Sequence, residues 1–183
     1  MNLFNADNSW TLFLDRDGVI NVRKMDGYIL NTDEFIFLPG AAEAITYFSG
    51  VFKHVIVVTN QQGIGKGLMT ACNLSDIHAY MHESVKEMGG EITASYFAPE
   101  LKNEASGMRK PAPGMALKAQ SDFPDIDFSR SIMVGDTDSD IKFGKNIGMK
   151  TVRIQTEEPI GIEADATFSS LHELMEIWKE RNT

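Results

Sequence analysis

Trp10-Thr11-Leu12-Phe13-Leu14-Asp15-Arg16-Asp17-Gly18-Val19-Ile20-Asn21 is the stretch around which this chain is organised. Trp10 to Leu14 reads as a buried strand, a short apolar run that breaks off into polar turn residues. Asp15 and Asp17 then arrive two residues apart. In an open α/β sheet, the C-terminal end of a core strand borders the binding crevice. Two carboxylates there repel each other unless a cation, a shared proton or a neighbouring Lys or Arg compensates them. Gly18 allows a sharp exit. Taken alone, Asp-x-Asp-Gly is equally compatible with a plain polar turn. Three later segments decide between the two readings.

The second segment follows His54-Val55-Ile56-Val57-Val58, another buried strand, which runs into Thr59-Asn60-Gln61-Gln62-Gly63-Ile64-Gly65-Lys66-Gly67. Two familiar phosphate loops fail here. A Walker loop needs Gly at 60 and Ser or Thr at 67, where the chain has Asn60 and Gly67. A dinucleotide fingerprint needs Gly at 68, which is Leu68. The third segment is Arg109-Lys110-Pro111-Ala112-Pro113-Gly114, whose prolines are placed to start a helix running to about Phe123. Adjacent cations just before a helix N-terminus add to its N–H donors and suit an anion. The fourth segment follows the strand Ser131-Ile132-Met133-Val134 and reads Gly135-Asp136-Thr137-Asp138-Ser139-Asp140. A calcium loop would need Gly and Glu where Ile141 and Ile147 stand. The acids instead open a helix over Ile141 to Asn146, where N-terminal carboxylates are favourable.

Between these segments the elements alternate. Asn21 to Leu38 has no sustained helical period and reads as an excursion over the crevice, ending at Pro39-Gly40. Ala41 to Phe48 reads as a helix, and Leu74, Ile77, Met81, Val85 and Met88 mark one face of a long helix stopped by Gly89-Gly90. His78 and His82 share that helix at i,i+4, but Ala79 stands where a zinc protease needs its Glu, so they belong to a helix face. Ile92 to Phe97 is a strand, Ala98 to Met108 a loop and Lys150 to Ile154 a fifth strand. Glu157 to Ala166 reads as a loop, and Ser170 with Glu173 as a capping box for a last helix ending near Arg181. Strands alternating with helices predict a parallel sheet covered on both faces.

The 183 residues are expected to form one domain, 1–183, with a sizeable core. Apolar residues make up 43% and charged residues 23%, as in ordinary globular proteins. A net charge of −9 argues against nucleic acid or an anionic membrane as partner, while leaving room for a small phosphorylated substrate in a locally basic pocket. The single cysteine, Cys72, excludes an internal disulfide and a thiolate zinc cage. No stretch resembles a signal peptide and no apolar run reaches membrane-spanning length, so a cytoplasmic location is expected. Oligomeric state is not encoded in any pattern of this kind.

A parallel sheet brings all strand C-termini to one edge. Asp15 and Asp17, Thr59 and Asn60, Arg109 and Lys110, and Asp136 and Asp140 should therefore converge. Acids from two strands, offering oxygen only, describe a Mg²⁺ site. A Lys and a Thr beside them would hold phosphoryl oxygens. The collected chemistry is that of phosphoryl transfer.

The chain resembles the haloacid dehalogenase (HAD) superfamily, and within it the histidinol-phosphatase and heptose-bisphosphate-phosphatase branch of subfamily IIIA. The resemblance rests on FLDRDGVIN, VVTNQQGIGKG, MRKPAPGM and VGDTDSDI in that order, and it extends over essentially the whole chain. GYILNTDEFIFLPG and TNQQGIGKG lean toward the heptose type. The resemblance implies a Rossmann-like sheet of order 5-4-1-2-3. It implies Asp15 as the nucleophile that forms an aspartyl-phosphate, and Asp17 as the acid and then base, protonated at the start. Mg²⁺ is then held by Asp15, the backbone carbonyl of Asp17 and Asp136. Thr59 and Lys110 bind the transferring group, and Asp140 orients Lys110 or a metal-bound water. Arg16, Asn60, Gln61 and Arg109 are the residues expected to contact substrate. The two places where such proteins insert a cap, Gly18–Gly40 and Gly67–Arg109, are too short or already accounted for, so no cap domain is expected. The branch usually carries a three-cysteine, one-histidine zinc site just before the Arg-Lys-Pro segment. Ala98–Met108 has no Cys or His, so no structural zinc is expected.

The implied activity is Mg²⁺-dependent phosphomonoester hydrolysis, on a sugar phosphate such as D-glycero-D-manno-heptose 1,7-bisphosphate or on histidinol phosphate. A polynucleotide 3′-phosphatase shares the catalytic set, but the acidic charge and the lack of a basic-aromatic groove oppose it. A non-catalytic phosphoacceptor also places acids, Thr and Lys at a sheet edge. Asp17 argues against that, because an acid-base there destroys a stored aspartyl-phosphate.

Overall fold

The computed structural model describes residues 5–104 and 106–182. The first four residues of the polar lead-in, Ala105 of the loop and Thr183 lie outside the described residues. Six parallel strands form one sheet: β1 (Thr11–Leu14), β2 (His54–Asn60), β3 (Ala94–Ala98), β4 (Ser131–Gly135), β5 (Lys150–Ile154) and β6 (Ala166–Phe168). Their spatial order is β3-β2-β1-β4-β5-β6. This is the expected order with one strand added at the edge. The loop expected over Glu157 to Ala166 ends one residue inside β6, and no strand is expected there because three residues, Ala-Thr-Phe, are too few for a period of two to show.

The alternation of side chains along β1 sorts the core into two layers. Leu12 and Leu14 pack with Val55, Val57, Ile132, Val134, Val152 and Ile154 on one face. The helices α1 (Ala41–Ser49), α3 (Ala71–Glu87) and α6 (Leu171–Arg181) cover that face. Phe13 points the other way, with Ile56, Val58 and Met133, toward α4 (Gly114–Asp122) and α5 (Asp138–Asn146). Each fully buried Leu, Val or Phe on these faces stabilises the sheet sandwich by roughly 1.5–3 kcal/mol. The expected architecture, a parallel sheet with helices on both faces, is the one observed.

The helix ends differ in detail. α5 starts at Asp138, three residues before the apolar stripe. Thr137 caps it, and Asp140 Oδ2 accepts from the Thr137 backbone N–H at 3.0 Å and from its hydroxyl at 2.6 Å. Ser170 caps α6, but the Glu173 carboxylate reaches Ser169 rather than the Ser170 N–H, so the expected box is only half made. A single helical turn, α2 (Gln62–Gly65), replaces the expected irregular turn after β2. His78, also expected on a helix face, is half-buried with its ring 6.5 Å from that of Phe97, and His82 Nε2 lies 2.8 Å from Ser95 Oγ. Among the described residues no helix is long and apolar enough to cross a membrane.

Candidate active site

β1, β2 and β4 end side by side, and the polar residues that follow them line one cavity of about 1090 Å³. Its wall includes Asp15 and Asp17 after β1, Thr59 and Asn60 at the end of β2, Gln61, Arg109, Lys110 and Asp140. The excursion after Asn21 lies over it, contributing Arg23, Lys24, Tyr28 and Ile29.

Lys110 is the centre of the arrangement. Its ammonium donates to Asp15 Oδ1 at 2.7 Å and to the Val58 carbonyl at 2.7 Å, and lies 2.6 Å from Asp140 Oδ1. It is buried, which disfavours the charged form, but Asp140 and Asp15 outweigh that cost and hold its pKa above the usual lysine value. The carboxylates respond unequally. Burial pushes Asp15 up to about 6, with the Asp140 charge adding and Lys110 opposing. Burial also pushes Asp136 up to about 8, with the Asp15 charge adding. Asp140 is buried too, but Lys110 and the Thr137 donors hold it below the usual range.

These shifts bear on Mg²⁺. Ligand oxygens of Asp15, Asp136 and Asp140 lie within 4.8 Å of one another, an all-oxygen donor set suited to a hard cation. Asp140 is the least available of the three, because Lys110 and the Thr137 cap occupy both its oxygens. Asp15 and Asp136 carry the burial and repulsion that a divalent cation relieves. The donor set therefore fits a metal held by Asp15 and Asp136, with the Asp17 carbonyl beside them. Asp136 is placed from behind by Arg153, fully buried, whose Nη1 donates to the Asp136 carbonyl at 2.8 Å.

Asp17 is surrounded by hydrogen-bond donors in the free site. Burial raises its pKa, but Arg16, Asn21 and Gln61 outweigh burial and leave it below the usual carboxylate range. Arg16 Nη2 donates to both Asp17 oxygens at 2.9 and 3.0 Å, Asn21 Nδ2 at 3.0 Å and Gln61 Nε2 at 2.8 Å. A carboxylate with that many donors is ionised, not protonated, before substrate arrives. Arg16 is also displaced from its expected role. It is fully buried behind Asp17 and does not line the cavity. A single sequence cannot show this, because Asp-Arg-Asp gives no sign of which way the middle side chain turns. Gln61 holds Thr59 Oγ1 as well, at 2.9 Å, so it links the acid to the hydroxyl. Asn60 lines the cavity, but its side chain is spent on the Lys110 backbone.

Two residues were not singled out by sequence. Arg23 Nη2 donates to Asp136 Oδ1 at 3.1 Å and to the Asp17 carbonyl at 3.3 Å, and its Nη1 pairs with Glu158. Both residues lie in stretches without a repeating pattern, and only the fold brings them together. Two backbone contacts hold the loop that follows β3. Gly65 N–H donates to the Pro99 carbonyl at 3.2 Å, and Arg109 Nη1 donates to the Glu100 carbonyl at 3.2 Å.

This is the fold and the acid-lysine cluster of a phosphoryl-transfer hydrolase. The HAD-hydrolase-like family model matches residues 107–168, the segment carrying Lys110, Asp136 and Asp140. The chain is 38% identical to D-glycero-alpha-D-manno-heptose-1,7-bisphosphate 7-phosphatase of Mycobacterium tuberculosis, covering 92% of this chain and 90% of that protein. It is 33% identical to D-glycero-beta-D-manno-heptose-1,7-bisphosphate 7-phosphatase of Helicobacter pylori, covering 81% of this chain and 84% of that one. Among solved structures, D,D-heptose 1,7-bisphosphate phosphatase from B. bronchiseptica, complexed with magnesium and phosphate, superposes with a TM-score of 0.82 at 28% identity. That match covers 94% of this chain and 99% of that one. The chain belongs to the heptose-1,7-bisphosphate 7-phosphatase family of HAD-like hydrolases, and it is a phosphatase.

Proposed function

We propose that this phosphatase removes the 7-phosphate of D-glycero-D-manno-heptose 1,7-bisphosphate, with Mg²⁺. The observation that carries the reading is the Lys110 ammonium set between Asp15 and Asp140 beside Asp136. That arrangement compensates a nucleophilic carboxylate without blocking it. A substrate with a second phosphate also suits the cavity wall. Lys66, Lys102 and Arg109 line it, and none is paired with an acid among the described residues. The relatives named above act on this sugar bisphosphate, some on the alpha and some on the beta anomer.

Mg²⁺ held by Asp15, Asp136 and the Asp17 carbonyl would supply charge neutralisation for the phosphoryl oxygens and for Asp15. Asp15 attacks phosphorus in line, forming an aspartyl-phosphate while the bond to the sugar oxygen breaks. Lys110 and Thr59 hold the equatorial oxygens of the transferring group. Asp17 has two duties. It takes up a proton when the phosphate dianion adds negative charge beside it, and passes that proton to the leaving oxygen. Returned to its ionised form, with Arg16 behind it, it then accepts a proton from the water that hydrolyses the aspartyl-phosphate. Asp140 keeps Lys110 charged and aimed.

The test is kcat/KM for phosphate release with Mg²⁺ from both anomers of heptose 1,7-bisphosphate, from histidinol phosphate and from a 3′-phosphorylated oligonucleotide. A heptose value of at least about 10⁴ M⁻¹s⁻¹, well above the others, is the expected result. Uniformly poor values that vanish in Asp15→Asn would retain the chemistry and remove the heptose assignment.

A further inference from the structure

Arg23 stands out because its guanidinium touches two of the groups assigned to the metal. Nη2 donates to Asp136 Oδ1 at 3.1 Å and to the Asp17 carbonyl at 3.3 Å. Both oxygens belong to the set that would hold the cation, so Arg23 Nη2 and Mg²⁺ would compete for the same acceptors. The guanidinium is not tied there by packing alone. Its other nitrogen, Nη1, pairs with Glu158, which lies after β5 and lines the cavity. The Arg23 side chain is about one quarter exposed (26%), so it has solvent-side room to turn. The charges of Asp136, Asp15, Glu158 and Asp140 all act on it and outweigh the cost of its burial.

We propose that Arg23 is a resident counter-cation of the acid cluster, which Mg²⁺ must displace from Asp136 and the Asp17 carbonyl before the site is assembled. The proposal rests on the Mg²⁺ reading of those residues. The acids Asp15, Asp136 and Asp140 gather there with their oxygens close together, and a tethered guanidinium against Asp136 compensates part of that charge. On metal entry Nη2 leaves the cluster while Nη1 keeps its hold on Glu158, so the side chain pivots at the rim. Its charge then remains over the cavity, where an incoming phosphate carries the opposite sign. The consequence is a site whose apparent Mg²⁺ affinity is lower than its oxygen donors alone would give. Lys24, the adjacent cation on the same excursion, differs in kind, because it pairs with Glu34 at 3.0 Å.

The experiment is a calorimetric titration of Mg²⁺ alone into wild type, Arg23→Met, Lys24→Met and Asp136→Asn. Displacement predicts Mg²⁺ binding at least about fivefold tighter in Arg23→Met, with Lys24→Met within about twofold of wild type. Melting in chelator gives a second readout. Arg23→Met should melt below wild type there, and should gain more from added Mg²⁺. Equal affinity in wild type and Arg23→Met overturns the proposal. An equal gain in Lys24→Met does so too, because it reduces the effect to long-range charge. Wild type that binds Mg²⁺ no better than Asp136→Asn removes the metal reading itself, and the proposal with it.

Discussion

Asn60 and Lys110, 50 residues apart in sequence, grip each other reciprocally: Lys110 N–H donates to Asn60 Oδ1 at 2.9 Å, and Asn60 Nδ2 donates to the Lys110 carbonyl at 3.2 Å. The end of β2 thereby sets the backbone from which the Lys110 ammonium reaches Asp15. Asn60→Ala removes both bonds, at a cost of about 1–2 kcal/mol in stability. The larger effect falls on turnover. Misplacing the ammonium should lower kcat about 10- to 100-fold, with a smaller change in KM. Steady-state kinetics together with urea unfolding will separate the two effects.

Asp15→Asn tests the nucleophile. An amide cannot form the aspartyl-phosphate, so phosphate release should fall at least about 10³-fold. The fold should survive, because Lys110 keeps its contacts with Asp140 and Val58. A cooperative thermal transition close to the wild-type midpoint, beside absent turnover, is the expected pair of results. Retained turnover would move the nucleophile elsewhere.

Gly18 is the position where backbone and metal chemistry meet. Its φ is +92°, and a Cβ built there would lie 2.5 Å from Asp136 Oδ2. Gly18→Ala therefore combines backbone strain of about 1–3 kcal/mol with a collision against a carboxylate assigned to the cation. Chemical denaturation should show the loss of stability, and Mg²⁺ titration a weaker site.

His78 carries a pH signature outside the chemistry. Burial, with the Arg16 charge adding, pushes it down to about 3 from an ordinary 6.5. Its Nε2 finds no hydrogen-bond partner among the described residues. Between those two values the unfolded chain binds more protons at this ring than the folded protein does. Stability from this group is therefore complete above pH 6.5 and is lost as pH falls toward 3. His78→Phe keeps a ring against Phe97 and should flatten the fall in stability between about pH 7 and 5. Unfolding free energies at three pH values in that range will check it. An unchanged slope would place the ring's proton uptake elsewhere.

The local sequence determined the strands that build the sheet and the edge at which the chemistry collects. Leu12, Phe13 and Leu14 are apolar on both faces, as a central parallel strand must be, and the acids start where the apolar run stops. Asp15 and Asp136 could be brought to one crevice from sequence because parallel strands place their C-termini together, and Lys110 joins them from just before the helix that follows β3. Only the tertiary structure decided how the charges are shared out. Arg16 turns inward to ionise Asp17, Asn60 serves the Lys110 backbone, and Arg23 reaches the acids with Glu158 at its other end. The reason is physical. Strand and helix periods are local and leave a repeating trace in sequence, whereas the partner of a buried charge is whichever group the fold brings within about 3 Å, and no period records that.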